Sequence, residues 1–168
     1  SASAQQPNIA VYFDENLTLT QADCPPVGTP HFTEFATLRV VANNFNMWLA
    51  AVEFKIDYPS QLSWLGDLYT TDTVIGNSPT GVSLAWGIPL NAFGSVVMMT
   101  ATCAWVCDGC VGNEDVAVDV VANPNQGLLR ALRYPDNLSF DVVGMRSLIC
   151  ATVPVEETTW GQVKALYN

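Results

Sequence analysis

Basic residues are scarce in this chain. Its 168 residues hold six Lys and Arg against sixteen Asp and Glu, a formal net charge of -10. Six cations cannot neutralise a phosphate track, which excludes nucleic acid as a partner. Histidine occurs once, at His31 in the loop Pro30-His31-Phe32, and no Gly-x-Ser-x-Gly elbow is present. A nucleophilic triad needs a base held by an orienting acid, and nothing in the local sequence gives His31 one. Apolar runs stay short of the roughly 18 residues that a membrane span requires. Repeats and low-complexity stretches are absent, and so is any long helical period. Charged residues make up only 13 % of the chain and apolar ones 49 %, which excludes a disordered chain and suits one domain able to bury a real core.

What the sequence does contain is a period of two. In residues 49–56, Ala50, Val52, Phe54 and Ile56 share one face while Ala51, Glu53 and Lys55 share the other. Such alternation places one face on a core and the other toward solvent. Tyr58-Pro59-Ser60 ends the run, because proline cannot donate to a ladder. Ile9, Val11 and Phe13 alternate in the same way, and further runs cover residues 35–41, 82–86, 95–105, 116–121, 128–132, 139–143 and 147–153. Turn residues separate them: Gly76-Asn77-Ser78-Pro79, Asp108-Gly109, Asn123-Pro124-Asn125 and Tyr134-Pro135-Asp136-Asn137. The expected fold is all-β, an antiparallel β-sandwich of about nine strands of jelly-roll or immunoglobulin-like type. At the carboxyl end, Trp160, Val163 and Tyr167 fall at helical spacing, and Thr159 with Gln162 matches a capping box. A short C-terminal helix is therefore expected, docked on its own sandwich or on a neighbour. The organisation is one domain, 1–168, with an N-terminal arm 1–16 and a C-terminal segment 156–168 as assembly elements.

The opening Ser1-Ala2-Ser3-Ala4-Gln5-Gln6-Pro7 reads like the mature side of a signal-peptidase cut. Cysteine usage agrees, since Cys24, Cys103, Cys107, Cys110 and Cys150 are frequent for a cytosolic domain and ordinary outside the cell. The expected location is extracellular or the cell surface. Two sequons, at Asn16 and Asn137, allow glycans there. Cys107 and Cys110 are expected to pair locally, with two of Cys24, Cys103 and Cys150 bridging the sandwich. A zinc site wants four ligands in paired knuckles, and a single Cys-x-x-Cys is a poor start. Calcium is the one cofactor left open: Asp14-Glu15-Asn16 and Asp108-Gly109 with Asn113-Glu114-Asp115 gather hard oxygens, though neither has the spaced EF-hand pattern.

Glycoside hydrolysis needs two carboxylates facing across a cleft. Asp14, Glu15, Glu34, Glu53, Asp57, Asp67, Asp72, Glu114 and Asp115 fall mostly at turns or solvent-facing strand positions, where carboxylates are simply solvated. No catalytic residue is assigned, no resident metal either, and the chain is read as a non-enzyme. Trp48, Trp64, Trp86, Trp105 and Trp160, with Tyr58, Tyr69 and Tyr134, are numerous enough for a sugar-stacking strip, although large aromatics more often bury.

Three stretches carry a resemblance: residues 35–41 (FATLRVV), 51–59 (AVEFKIDYP) and 97–102 (VMMTAT). An early strand, then one ending in a Tyr-Pro turn, then a later long strand resembles a bacterial cohesin or a related carbohydrate-binding sandwich. The resemblance implies a sandwich with a non-catalytic binding or scaffolding role. The cysteine cluster and residues 160–167 depart from it. Two functions follow as expectations. The first is an exported structural protein whose partners are copies of itself, a filament or surface-layer subunit. Its contacts would be edge strands or terminal segments, with Ile9, Val11, Phe13, Trp160, Val163 and Tyr167 in them. The second is a monomeric binding module for a glycan or a surface protein.

Overall fold

Strand β4 (Met47–Asp57) shows why this sequence folds as a sandwich. Val52, Phe54 and Ile56 are fully buried, while Glu53 and Lys55 between them reach solvent. The computed structural model describes residues 5–22, 35–105 and 116–149. Besides β4 they form β1 (Asn8–Tyr12), β2 (Gln21–Ala22), β3 (Phe35–Asn43), β5 (Leu62–Tyr69), β6 (Thr73–Asn77) and β7 (Gly81–Ala92). Then follow β8 (Val96–Trp105), β9 (Val116–Val121), β10 (Arg130–Arg133), β11 (Ser139–Asp141), β12 (Val143–Gly144) and β13 (Arg146–Ile149). The described residues thus hold thirteen strands rather than about nine. β2, β5 and β6 match none of the runs read from alternation, and the run at 139–143 divides into β11 and β12. The expected C-terminal helix, with Trp160, Val163 and Tyr167, lies outside the described residues.

One sheet has the order β12-β1-β3-β8-β5. The other is built around β4, with β10 along one half of an edge and β9 along the rest. Beyond β10 lies β11, and beyond β9 lie β13 and β2. On the opposite edge of β4 come β7 and then β6. Between the sheets, Ile9, Val11, Leu38, Val40, Met98 and Met99 meet Val52, Phe54, Ile56, Val82, Leu84 and Val118. Burying each such side chain contributes roughly 1.5–3 kcal/mol, so this layer dominates stability.

One side of the sandwich is laced by backbone. Within a few residues the chain passes from the first sheet to the second: Val143 N–H bonds Pro7 O, Met145 N–H bonds Ile9 O, and Met145 O accepts Val120 N–H. The buried Ser147 hydroxyl then donates to Val11 O at 2.7 Å, tying β13 to β1 across the core. Gly144 makes the crossing possible, because a Cβ there would sit 1.8 Å from Val120 O.

The arm expected to recruit a neighbour is used at home instead. β1 lies between β3 and β12, Ile9 and Val11 are fully buried, and Phe13 packs against the core. Their apolar faces are taken up by the chain's own interior.

If the interior carries the stability, Phe54→Ala lowers the unfolding free energy by about 3–5 kcal/mol, while Leu68→Ala on the exposed side of β5 changes it by no more than about 0.5 kcal/mol. Urea unfolding followed by tryptophan fluorescence checks both.

Candidate docking surfaces and the polar seal between them

Opposite the laced side, the sheets end in β5 and β6, which do not pair with each other. A bulge between Trp64 and Gly66 shifts the alternation of β5. It leaves Leu65 and Leu68 outside and turns Trp64 and Tyr69 against the core, with Asp67 between them in the same phase. The Asp67 carboxylate is fully engaged there. Oδ1 accepts Trp64 Nε1–H at 2.9 Å and the Ser78 hydroxyl at 2.8 Å. Oδ2 accepts the Tyr69 hydroxyl at 2.7 Å and Ser78 N–H at 2.8 Å. With its own proton given to Asp67, Ser78 Oγ accepts from the Tyr58 hydroxyl at 2.7 Å. Ser78 O in turn takes Ile56 N–H. One carboxylate thus joins β5 to the β6–β7 turn, and through Ser78 to β4.

Burial, and secondarily the hydrogen bond to Asp67, raises the Tyr69 phenol above its ordinary range. Burial also raises Tyr58, against a smaller opposing effect of its bond to Ser78. Cys103, inward-facing opposite Trp64, is pushed up to about 12, first by burial and then by the nearby Asp67 charge. At neutral pH it is an inert thiol.

On the outer face of the β4 sheet two cross-strand rows run through five strands. One row runs Ile75, Ser83, Glu53, Arg130, Asp141, and the next Thr73, Ala85, Ala51, Leu132, Ser139. Its centre is flat, because Ala51 and Ala85 stand side by side. The Glu53 charge is neutralised in place by Arg130 Nε at 3.1 Å, with the Ser83 hydroxyl at 3.2 Å. Ile75 is 74 % exposed at one margin. At the end of β4, exposed Trp48 meets Phe93 edge-on, and its carbonyl accepts Tyr134 N–H. Pairing is general: each of the five described cations, Arg39, Lys55, Arg130, Arg133 and Arg146, faces a carboxylate. Among the described residues no basic patch is left.

Sequence reasoning counted Asp67 among solvated acids; it is the inward hub, and only the bulge, invisible to strict alternation, betrays it. Cys103 is free and buried, so the expected bridge does not run through it. Cys24, Cys107, Cys110, Cys150 and His31 lie outside the described residues, as does the 108–115 part of the calcium reading. Asp14 spends both oxygens on Thr18 and Leu19 in its own loop. Both sequon asparagines, Asn16 and Asn137, are exposed. Among the described residues Tyr58, Trp64, Tyr69, Trp86 and Trp105 pack against the core rather than forming an exposed strip, and Trp160 lies outside them.

No family model matches the chain, and no curated protein matches it. Solved structures do. The third ScaB cohesin of R. flavefaciens, in complex with a group 1 dockerin, is similar over 89 % of this chain and 96 % of its own, with TM-score 0.55 at 13 % identity. The seventh ScaB type I cohesin from Pseudobacteroides cellulosolvens covers 92 % and 98 %, with TM-score 0.51 at 12 % identity. The sixth cohesin from scaffoldin B of Acetivibrio cellulolyticus, in complex with a mutant Cel5 dockerin, covers 86 % and 98 %, with TM-score 0.55 at 9 % identity. The fold is a cohesin-like β-sandwich.

Removing the hub strands its donors. Asp67→Ala is expected to cost about 3–5 kcal/mol and Tyr69→Phe about 1–2 kcal/mol in urea unfolding. Alkali tests the same cluster. Groups whose folded pKa is raised stabilise fully below their unfolded values and lose that contribution as pH climbs toward the folded ones. With Cys103 moving from 9.0 to about 12, and Tyr58 and Tyr69 raised as well, stability declines steadily above pH 9. Urea midpoints from pH 8 to pH 11 measure the decline, and Cys103→Ala and Tyr69→Phe each flatten it.

Proposed function

We propose that this domain is a non-catalytic docking module of an exported scaffold, holding a protein partner on the outer face of the β4 sheet. The observation that supports this reading is the face itself: small residues at its centre, a self-neutralised Glu53–Arg130 pair, and exposed Ile75, Trp48 and Phe93 around it. Such a face presents apolar surface with its central charge paired and the lone carboxylate of Asp141 only at the margin, so little desolvation opposes contact at the centre. Two of the fold's solved neighbours are described in complex with dockerins, and a protein partner of that general kind suits a flat sheet better than a sugar does. The cysteine usage and the two sequons support export. The filament reading weakens because the arm that was to link subunits is an interior strand.

The test is capture from the culture fluid of the source organism by immobilised chain, run beside Ala51→Arg, which plants a long cation in the flat centre without touching the core. A protein held by the native chain and released by Ala51→Arg, with at least a tenfold loss of affinity, is the expected result. Equal retention on both surfaces, or binding to polysaccharide alone, overturns the proposal.

A further inference from the structure

The two described sheets end in five strands, and four of those edges are closed to pairing. β2 and β12 are two residues long and β11 three. β5 is long enough, but its bulge bends it and Asp67 points inward from it, both of which are devices that natural edges use against addition. β6 is different. Its five residues, Thr73-Val74-Ile75-Gly76-Asn77, carry no charge and no proline, and among the described residues it pairs only with β7. From Thr73 to Ile75 the strand is extended and alternate N–H and C=O groups face outward from the sheet, while Gly76, at φ 83, interrupts that regularity near its end. Ile75 stands beside them, 74 % exposed.

We infer that β6 pairs with β6 of a second copy, antiparallel and centred on Ile75, so that the β4 sheets of two molecules join into one. In that register Ile75 covers the second copy's Ile75, and Thr73 stands opposite the second copy's Asn77. Asp72, the acid next to the strand, falls opposite Ser78 rather than opposite itself. No like-charge pair is created at the seam. The axis relating the copies runs perpendicular to the sheet, so both outer faces look the same way. A contact of this kind is isologous and closes at two; it yields a dimer and no fibre. Five paired residues make a small interface, hence a weak one. The net charge of -10 on each chain opposes it at long range, and salt relieves that repulsion.

This association stands apart from the docked partner proposed above, because it is measured on the isolated chain. Sedimentation velocity from micromolar to millimolar concentration is expected to show a monomer–dimer equilibrium that strengthens with added NaCl. Hydrogen exchange is expected to show β6 amides gaining protection as concentration rises. Ile75→Lys and Thr73→Lys, both at exposed positions, each raise the dimer Kd by roughly tenfold or more, while Leu68→Lys on β5 leaves it unchanged. Unaltered urea midpoints confirm that these variants fold. A monomer at every concentration, a dimer indifferent to both β6 lysines, or protection gained on β5 instead overturns the inference. A native chain that captures a partner but forms no dimer refutes only this inference, and one that forms the dimer but captures no partner refutes only the docking reading.

Discussion

The structure depends on how two sheets are kept from sliding apart. Apolar burial draws them together but is non-directional, so it does not fix which side opens. One side is fixed by covalent continuity, since residues 142–149 belong first to one sheet and then to the other, and Ser147 pins β13 to β1. The other side is crossed as well, since β5 runs into β6 through residues 70–72, where Thr70 bonds Met98 O in one sheet and Thr71 bonds Ala85 O in the other. Beside that crossing a carboxylate adds a second joint, accepting four hydrogen bonds from Trp64, Tyr69 and Ser78. Removing Asp67 from bulk water is costly, and only this complete set of donors offsets it.

The same residue shapes what the rim can do. A carboxylate directed inward from an outer strand penalises any approach that would slide or re-register that strand, because a one-residue slip would carry the charge to the wrong face. Sealing this side and blunting β5 are therefore one device. β6 sits across the gap and receives the hydrogen bonds of the seal only at its far end, through Ser78. Its own ladder edge is left as it is, which is why the two neighbouring rims differ in their capacity to pair.

Much of this was legible in the sequence, and the parts that were not have physical causes. The run at 116–121 coincides with β9, which alternates without interruption, and the run at 49–56 lies within β4, whose alternation holds from Ala51 to Asp57 and breaks at a bulge between Leu49 and Ala51. β5 and β6 escaped. A bulge in LSWLGDLY puts Trp64 and Asp67 in one phase although they are three apart, which period-two reading cannot see. TVIGN is short and contains a glycine at φ 83, so it reads as turn. The aromatic residues misled differently: counting them suggested a platform, but Trp64 is turned inward by the bond that its indole makes to Asp67. The cohesin-like resemblance, drawn from three stretches on strands β3, β4 and β8, named the fold that the solved neighbours share.

Charge limits how copies of this chain can meet. The described chain pairs all five of its cations internally, so acids dominate whatever remains, and copies of the molecule repel at range. Short-range contact between copies must then be charge-free, and β6 meets that condition where the loops bearing Asp14, Asp72 and Asp136 do not. A head-to-tail fibre needs two different complementary patches and repeats the repulsion at every step. A two-fold contact pays it once and leaves both flat faces open. With its amino strand committed to the interior, the chain leaves, among its described residues, the outer β4 face and the β6 edge uncovered by its own strands.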